Sequence, residues 1–244
     1  KELWSVEQQV PRLSLRGTAT PTIAKEVAVS GFDNGKVMAV NLMTGDTVWD
    51  TALASPHGRT ELDRLVDIDS AVYVIGDNVF AAGFQGRTAM IALDSGQIWW
   101  AHDMSSYHGL TVDEDNLYVT QSDGTVTALR QRDGSELWHS DKLKRRGLSA
   151  PAVTSTAVAV GDFQGYLHWL DKRSGELVAR ERIGKYRISN SPVAAGDTVV
   201  VLNDAGRLAA FRAAPSNPPS AAAPAPSPGA TAAAAAATAS PPGS

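Results

Sequence analysis

Two short stretches carry the side chains best suited to recognition chemistry. In "PRLSLRGTATPT", residues 11 to 22, Leu13 and Leu15 alternate with polar neighbours and Arg16 follows them. In "ELDRLVDIDS", residues 61 to 70, Asp63, Arg64, Asp67 and Asp69 form a mixed charge cluster. Apolar side chains beside such a cluster suit protein–protein recognition, where a few buried leucines and one guanidinium can dominate affinity. Catalytic chemistry has weaker support. The five histidines (His57, His102, His108, His139 and His168) are scattered without metal-ligand spacing. "DRLVDID" lacks the glycine and glutamate of an EF-hand loop, and no G-x-S-x-G elbow occurs. The chain has no cysteine, which excludes disulfides, thiolate nucleophiles and cysteine-held metals from it. No cofactor or metal is expected.

The bulk properties narrow the classes further. A formal net charge of −4 over 244 residues gives no electrostatic reason to expect nucleic-acid binding. No run approaches 18 consecutive apolar residues, so no helical membrane span is expected. The basic run "KLKRRG" at 142 to 147 reads as a solvated loop, ahead of a contact with an acidic partner or lipid headgroups. From residue 213 onward the chain is alanine, proline, serine, glycine and threonine with a single asparagine and no charge. Such a segment buries too little apolar surface to offset its ordering entropy, so 213–244 is expected to be disordered. The chain opens on Lys1 without a signal peptide and is expected to be a processed product or a fragment.

The elements that must position the two stretches come from an internal repeat. Gly35, Gly86, Gly124, Gly165 and Gly206 recur in similar surroundings at spacings of 51, 38, 41 and 41 residues. After the first four, a second glycine follows ten residues later: Gly45, Gly96, Gly134 and Gly175. Four residues beyond the first three of those stands a tryptophan, Trp49, Trp100 or Trp138, while the fourth repeat has Ala179. This period matches a four-stranded propeller blade. "DNG", "SDG" and "RDG" are hairpin turns, because Gly and Asn accept the backbone that tight loops require. The tryptophans read as staples between blades in preference to ligand platforms.

The fold class is therefore all-β, a propeller of four-stranded blades present as a partial ring. Complete blades are expected over 18–51, 70–103, 108–141 and 148–182, with a three-stranded partial blade over 186–212. "KELW" at 1 to 4 matches "SELW" at 135 to 138, so residues 1–6 read as the outer strand of a further partial blade. Lys1 to Val6 could complete the last blade and close a five-membered ring. An arc of a larger ring is the preferred reading. The links between blades measure 17, 23, 10, 13 and 13 residues. The first two are overlong and hold the two stretches described above. Because such links cross at one rim, the two excursions are expected to be neighbours.

The two loop motifs, combined with blades of the G-x-V-x-ALD-x-x-[ST]G-x-x-W type, resemble the BamB family of propeller lipoproteins of the outer-membrane β-barrel assembly machinery. The resemblance runs from residue 1 to about 212 and excludes the tail. It implies an eight-bladed ring anchored to the periplasmic face of the outer membrane through a lipidated N-terminal cysteine. It also implies a non-enzymatic scaffold that binds a POTRA domain of BamA and assists insertion of β-barrel proteins. The residues that the resemblance ties to BamA binding are Leu13, Leu15, Arg16, Asp67 and Asp69, with Arg64 beside them in the second loop. The two Asp either contact the partner or orient Arg16 by a charge-assisted hydrogen bond. An edge strand could also accept unfolded outer-membrane strands by β-augmentation, although no residue singles out an edge. This chain departs from the family pattern by lacking the cysteine and about half the blades, and by carrying an Ala/Pro-rich tail that the family pattern does not include. A quinone-dependent dehydrogenase on the same repeat is the enzymatic alternative. Its vicinal cysteine pair is absent here. A scaffold for some other periplasmic partner is the third reading.

Overall fold

Each glycine-centred turn closes a hairpin, and successive hairpins build five antiparallel sheets. The computed structural model describes residues 1–9, 11, 19–54, 59–60, 65–68 and 70–212. The segment 213–244 lies outside them, as do Leu13, Leu15, Arg16, Arg64 and Asp69. The first sheet holds β1 (Thr22–Ala24), β2 (Val27–Gly31), β3 (Lys36–Asn41) and β4 (Thr47–Ala52). The second holds β5 (Tyr73–Ile75), β6 (Asn78–Ala82), β7 (Thr88–Ala92) and β8 (Ile98–His102). The third holds β9 (Leu110–Val112), β10 (Asn116–Thr120), β11 (Val126–Arg130) and β12 (Glu136–Ser140). The fourth holds β13 (Ala152–Val153), β14 (Ala157–Gly161), β15 (Tyr166–Asp171) and β16 (Leu177–Arg182). The fifth has three strands, β17 (Val193–Ala195), β18 (Thr198–Leu202) and β19 (Leu208–Arg212). The architecture is a partial propeller ring.

The core lies between sheets, and strand alternation explains why. Val79 and Ala81 of β6 pack with Val29, Val37 and Trp49 of the first sheet. Their neighbours Phe80 and Ala82 point the other way, to Leu117, Val119 and Leu129 of the third. In β14, Val158 and Val160 join Tyr118 and Trp138, whereas Ala157 and Ala159 join Val199 and Val201 of the fifth sheet. A strand buried on both faces needs apolar residues at every position, hence the unbroken runs.

The tryptophans lock one sheet to the next by a repeated contact. Trp49 Nε1 donates to Leu93 O at 2.8 Å, Trp100 Nε1 to Gln131 O at 2.8 Å and Trp138 Nε1 to Lys172 O at 2.9 Å. Each acceptor stands three residues before the second repeat glycine of the following sheet, and the indole covers that glycine. A Cβ on Gly96, Gly134 or Gly175 would lie 2.8, 2.7 or 2.4 Å from the ring, and all three have positive φ. Close indole approach and left-handed backbone both require glycine. Trp4 repeats the pattern, with Nε1 donating to Leu42 O at 2.8 Å over Gly45. Residues 1–9 pair with no strand among the described residues.

All four complete sheets share one irregularity. The register slips between Ala39 and Val40, Met90 and Ile91, Ala128 and Leu129, and Trp169 and Leu170. The extra outer-strand residue in each case is Val48, Trp99, Leu137 or Val178. A bulge leaves that residue unpaired and bends the strand. These four side chains are accordingly among the large exposed apolar groups.

Candidate functional site

The second long link is held down at its far end. Leu65, Val66 and Ile68 are buried, and Asp67 between them is fully buried as well. Phe84 N donates to Asp67 O at 2.7 Å and Asp67 N to Phe84 O at 3.4 Å, an isolated bridge to the turn after β6. Ile68 N donates to Phe32 O at 3.3 Å, in the turn after β2. The stretch thus straps the hairpin turns of the first two sheets together. Ser70 Oγ extends it by donating to Ala82 O at 3.0 Å.

The strap fits because two glycines leave room for it. A Cβ on Gly31 would lie 2.3 Å from Ile68 O, and one on Gly83 would lie 3.2 Å from Asp67 O. Gly31→Ala, at a position without positive φ, is expected to destabilise the fold by about 1–3 kcal/mol through overpacking alone. Thermal melting reads the loss. Adding Ile68→Ala should not restore it, because the closest atom belongs to the backbone.

Both long links converge on the hairpin turn between β2 and β3. From the first, Gln8 Oε1 accepts from Asn34 Nδ2 at 3.1 Å. From the second, Leu53 N and Ala54 N donate to Gly35 O at 2.9 and 3.1 Å, and Ile68 meets Phe32 as above. Beyond the first link, Thr22 Oγ1 donates to Val72 O at 2.7 Å, joining the strand starts that follow each excursion. The described ends of the two links therefore meet at one turn, as the rim argument expects.

Of the six residues singled out for partner binding, Asp67 is the one described. The sequence reading presents it on the rim, whereas its side chain lies inside. Three apolar neighbours anchor the strap and carry the carboxylate in with them. The Gly-Phe pairs Gly31-Phe32 and Gly83-Phe84 are the sequence signal for this seat. They occur at the ends of β2 and β6 and in no other sheet.

Elsewhere, a cleft of about 390 Å³ is lined by Tyr107, His108, Thr120, Gln121, Leu148 and Arg187, among others. Burial, then the charge of Arg187, pushes the His108 imidazole below its usual range. A neutral ring can accept from Arg187 Nη2, 3.5 Å from its Nε2. Among the described residues, no group of three or more His, Asp and Glu side chains could hold a metal ion.

A sequence profile described as outer membrane protein assembly factor BamB matches residues 1–140 and 122–218. The BamB assembly factor of Pseudomonas aeruginosa is 42% identical over 205 residues, covering 84% of this chain and 54% of the relative. That of Kangiella koreensis is 38% identical over 197 residues, covering 81% and 51%. The chain thus spans about half the length of these curated relatives. The crystal structure of BamB from Moraxella catarrhalis superposes with a TM-score of 0.80 at 29% identity, covering 86% of this chain and 63% of that one. Profile, relatives and superposition agree over the propeller sheets, and the chain belongs to the BamB family of outer membrane protein assembly factors.

Proposed function

We propose that this chain belongs to a non-enzymatic scaffold in outer-membrane protein assembly, and that its two long links dock a POTRA domain of BamA. The observation that carries the reading is the convergence of both links on the turn at Asn34 and Gly35. Leu13 and Leu15 would pack on an apolar patch of the partner, and Arg16 would reach a carboxylate or carbonyl there. The burial of Asp67 favours an orienting role for it over direct contact. Arg64 and Asp69 complete the second half of the surface. Trp4 docks as the blade tryptophans do, which fits residues 1–6 as the outer strand of a preceding blade.

The quinone-enzyme alternative needs a tryptophan facing the cofactor. Here Trp49, Trp100 and Trp138 are committed to docking between sheets. Location at the periplasmic face of the outer membrane through a lipid anchor belongs to the same proposal. Titration of purified BamA POTRA domains into the chain tests it. Arg16→Glu is expected to remove detectable binding while the melting temperature stays put. Binding equal to that of the parent chain would sink the proposal.

A further inference from the structure

The four outer strands allow a comparison inside one molecule. The first and third residues after the tryptophan position are Asp50 and Ala52 in β4, Ala101 in β8 and Asp103 just after it, and His139 in β12 and Asp141 just after it. These pairs are neutral or acidic at neutral pH. In the fourth sheet the same two places hold Arg180 and Arg182. The first sheet also shows what was exchanged. There Lys36 forms an ion pair with Asp50. At the matching places Tyr166 replaces the lysine and Arg180 the aspartate, with the guanidinium carbons of Arg180 and Arg182 at 5.4 and 5.2 Å from the Tyr166 ring centre. A neutral pair has become an aromatic ring under two arginines of its neighbouring strand, with the Arg146 guanidinium, itself paired to Asp162, at 6.0 Å.

Carboxylates nearby do not balance them. Residues 142 to 187 hold ten basic and four acidic side chains, against twelve and twenty-two in the rest of the chain. Asp162 is taken by Arg146 and His168, and Glu176 by Lys142, while Glu181, between the two arginines, alternates onto the opposite face of β16. Among the described residues, Arg180, Arg182 and Lys185 take part in no ion pair. All six residues of β16 are exposed, and Phe163, Val178 and Tyr186 add exposed apolar surface. Since β16 is the terminal strand of its sheet, one backbone edge is open.

We propose that the outer edge of the fourth sheet, β16 with Arg180 and Arg182, receives an extended acidic segment of a protein partner. Side chains two apart on a strand lie on one face, about 6.6 Å apart, which is also the spacing of alternate residues in an extended ligand. The edge supplies main-chain hydrogen bonds and the two guanidiniums supply bidentate carboxylate contacts. Arginine stacked on a ring suits that geometry better than lysine, and Arg and Tyr are the residues that dominate protein interfaces. None of these residues belongs to the two long links, so the inference stands or falls independently of the POTRA proposal.

The probe is a fluorescein-labelled decapeptide with Glu at every second position, followed by anisotropy with the full chain, beside a peptide with Gln in place of Glu. The Glu peptide should bind and the Gln peptide should bind at least about tenfold more weakly. Arg180→Gln with Arg182→Gln should weaken the Glu peptide by about tenfold, and Arg180→Lys with Arg182→Lys should weaken it as well. BamA binding should be unchanged in both variants. The proposal is overturned if neither peptide binds, which is the outcome for charges that merely protect an edge from aggregation. It is equally overturned if the lysine variant keeps full affinity, or if phosphatidylglycerol vesicles bind with the same arginine dependence and the peptide does not.

Discussion

Trp138→Ala is expected to destabilise the chain by about 3–5 kcal/mol, the range for removing a buried tryptophan from a packed core. The indole is buried between the third and fourth sheets, tilted against Tyr118 with ring centres 6.1 Å apart. Its loss also removes the bond from Nε1 to Lys172 O, and it uncovers Gly175, where an added Cβ would lie 2.4 Å from the ring. Gly175, on one side of the space, has no side chain with which to fill it. Urea denaturation followed by circular dichroism measures the effect. Leu137→Ala is the control. It removes the bulged neighbour, which is 41% exposed, and should cost within about 0.5 kcal/mol. Equal losses in the two variants would refute the role assigned to the docking tryptophans.

Asp162→Ala is expected to cost a similar amount, about 3–5 kcal/mol, because it breaks a buried charge network by removing one member. The carboxylate is fully buried in the turn after β14. Its Oδ2 accepts from Arg146 Nε at 2.7 Å and from His168 Nε2 at 2.8 Å, and Oδ1 accepts from the amides of Gln164 and Tyr166 at 2.8 and 2.9 Å. A carboxylate can only accept, so Nε2 of His168 carries the proton. Burial pushes the Asp162 carboxyl up. The bonds from His168, the Tyr166 amide, Arg146 and the Gln164 amide outweigh it and hold the group at about 2, below its ordinary 3.8. A native pKa below the unfolded one makes the unfolded chain the tighter proton binder between the two values. The stabilisation is therefore complete above about pH 4 and is lost as pH falls towards 2. Melting temperatures taken across that window should drop more steeply for the parent chain than for Asp162→Ala. Parallel curves would show that the carboxylate contributes nothing specific.

Much of the fold is legible in residue types. The paired glycines mark where the backbone must turn or an indole must approach, and the residues fourteen after each anchor name the docking side chains. Ala179 breaks the tryptophan series, and among the described residues the fifth sheet has three strands. Less legible were the bulges. Val48, Trp99, Leu137 and Val178 look like core residues, because a strand's strict alternation would bury one side of each pair. The slip in pairing turns them outward, and slips depend on the neighbouring strand rather than on local sequence.

The candidate site divides in the same way. By itself the sequence determined the period of the blades, the two overlong links and the family, since glycine, turn and tryptophan positions are local requirements of backbone and ring shape. Only the tertiary structure decided that Asp67 lies inside and that one edge in four is cationic. Burial of Asp67 follows from its own bridge to Phe84 and that of Ile68 to Phe32, partners remote in the chain. The cationic edge emerges because Tyr166, Arg180 and Arg182, separated in sequence, meet across one pair of strands.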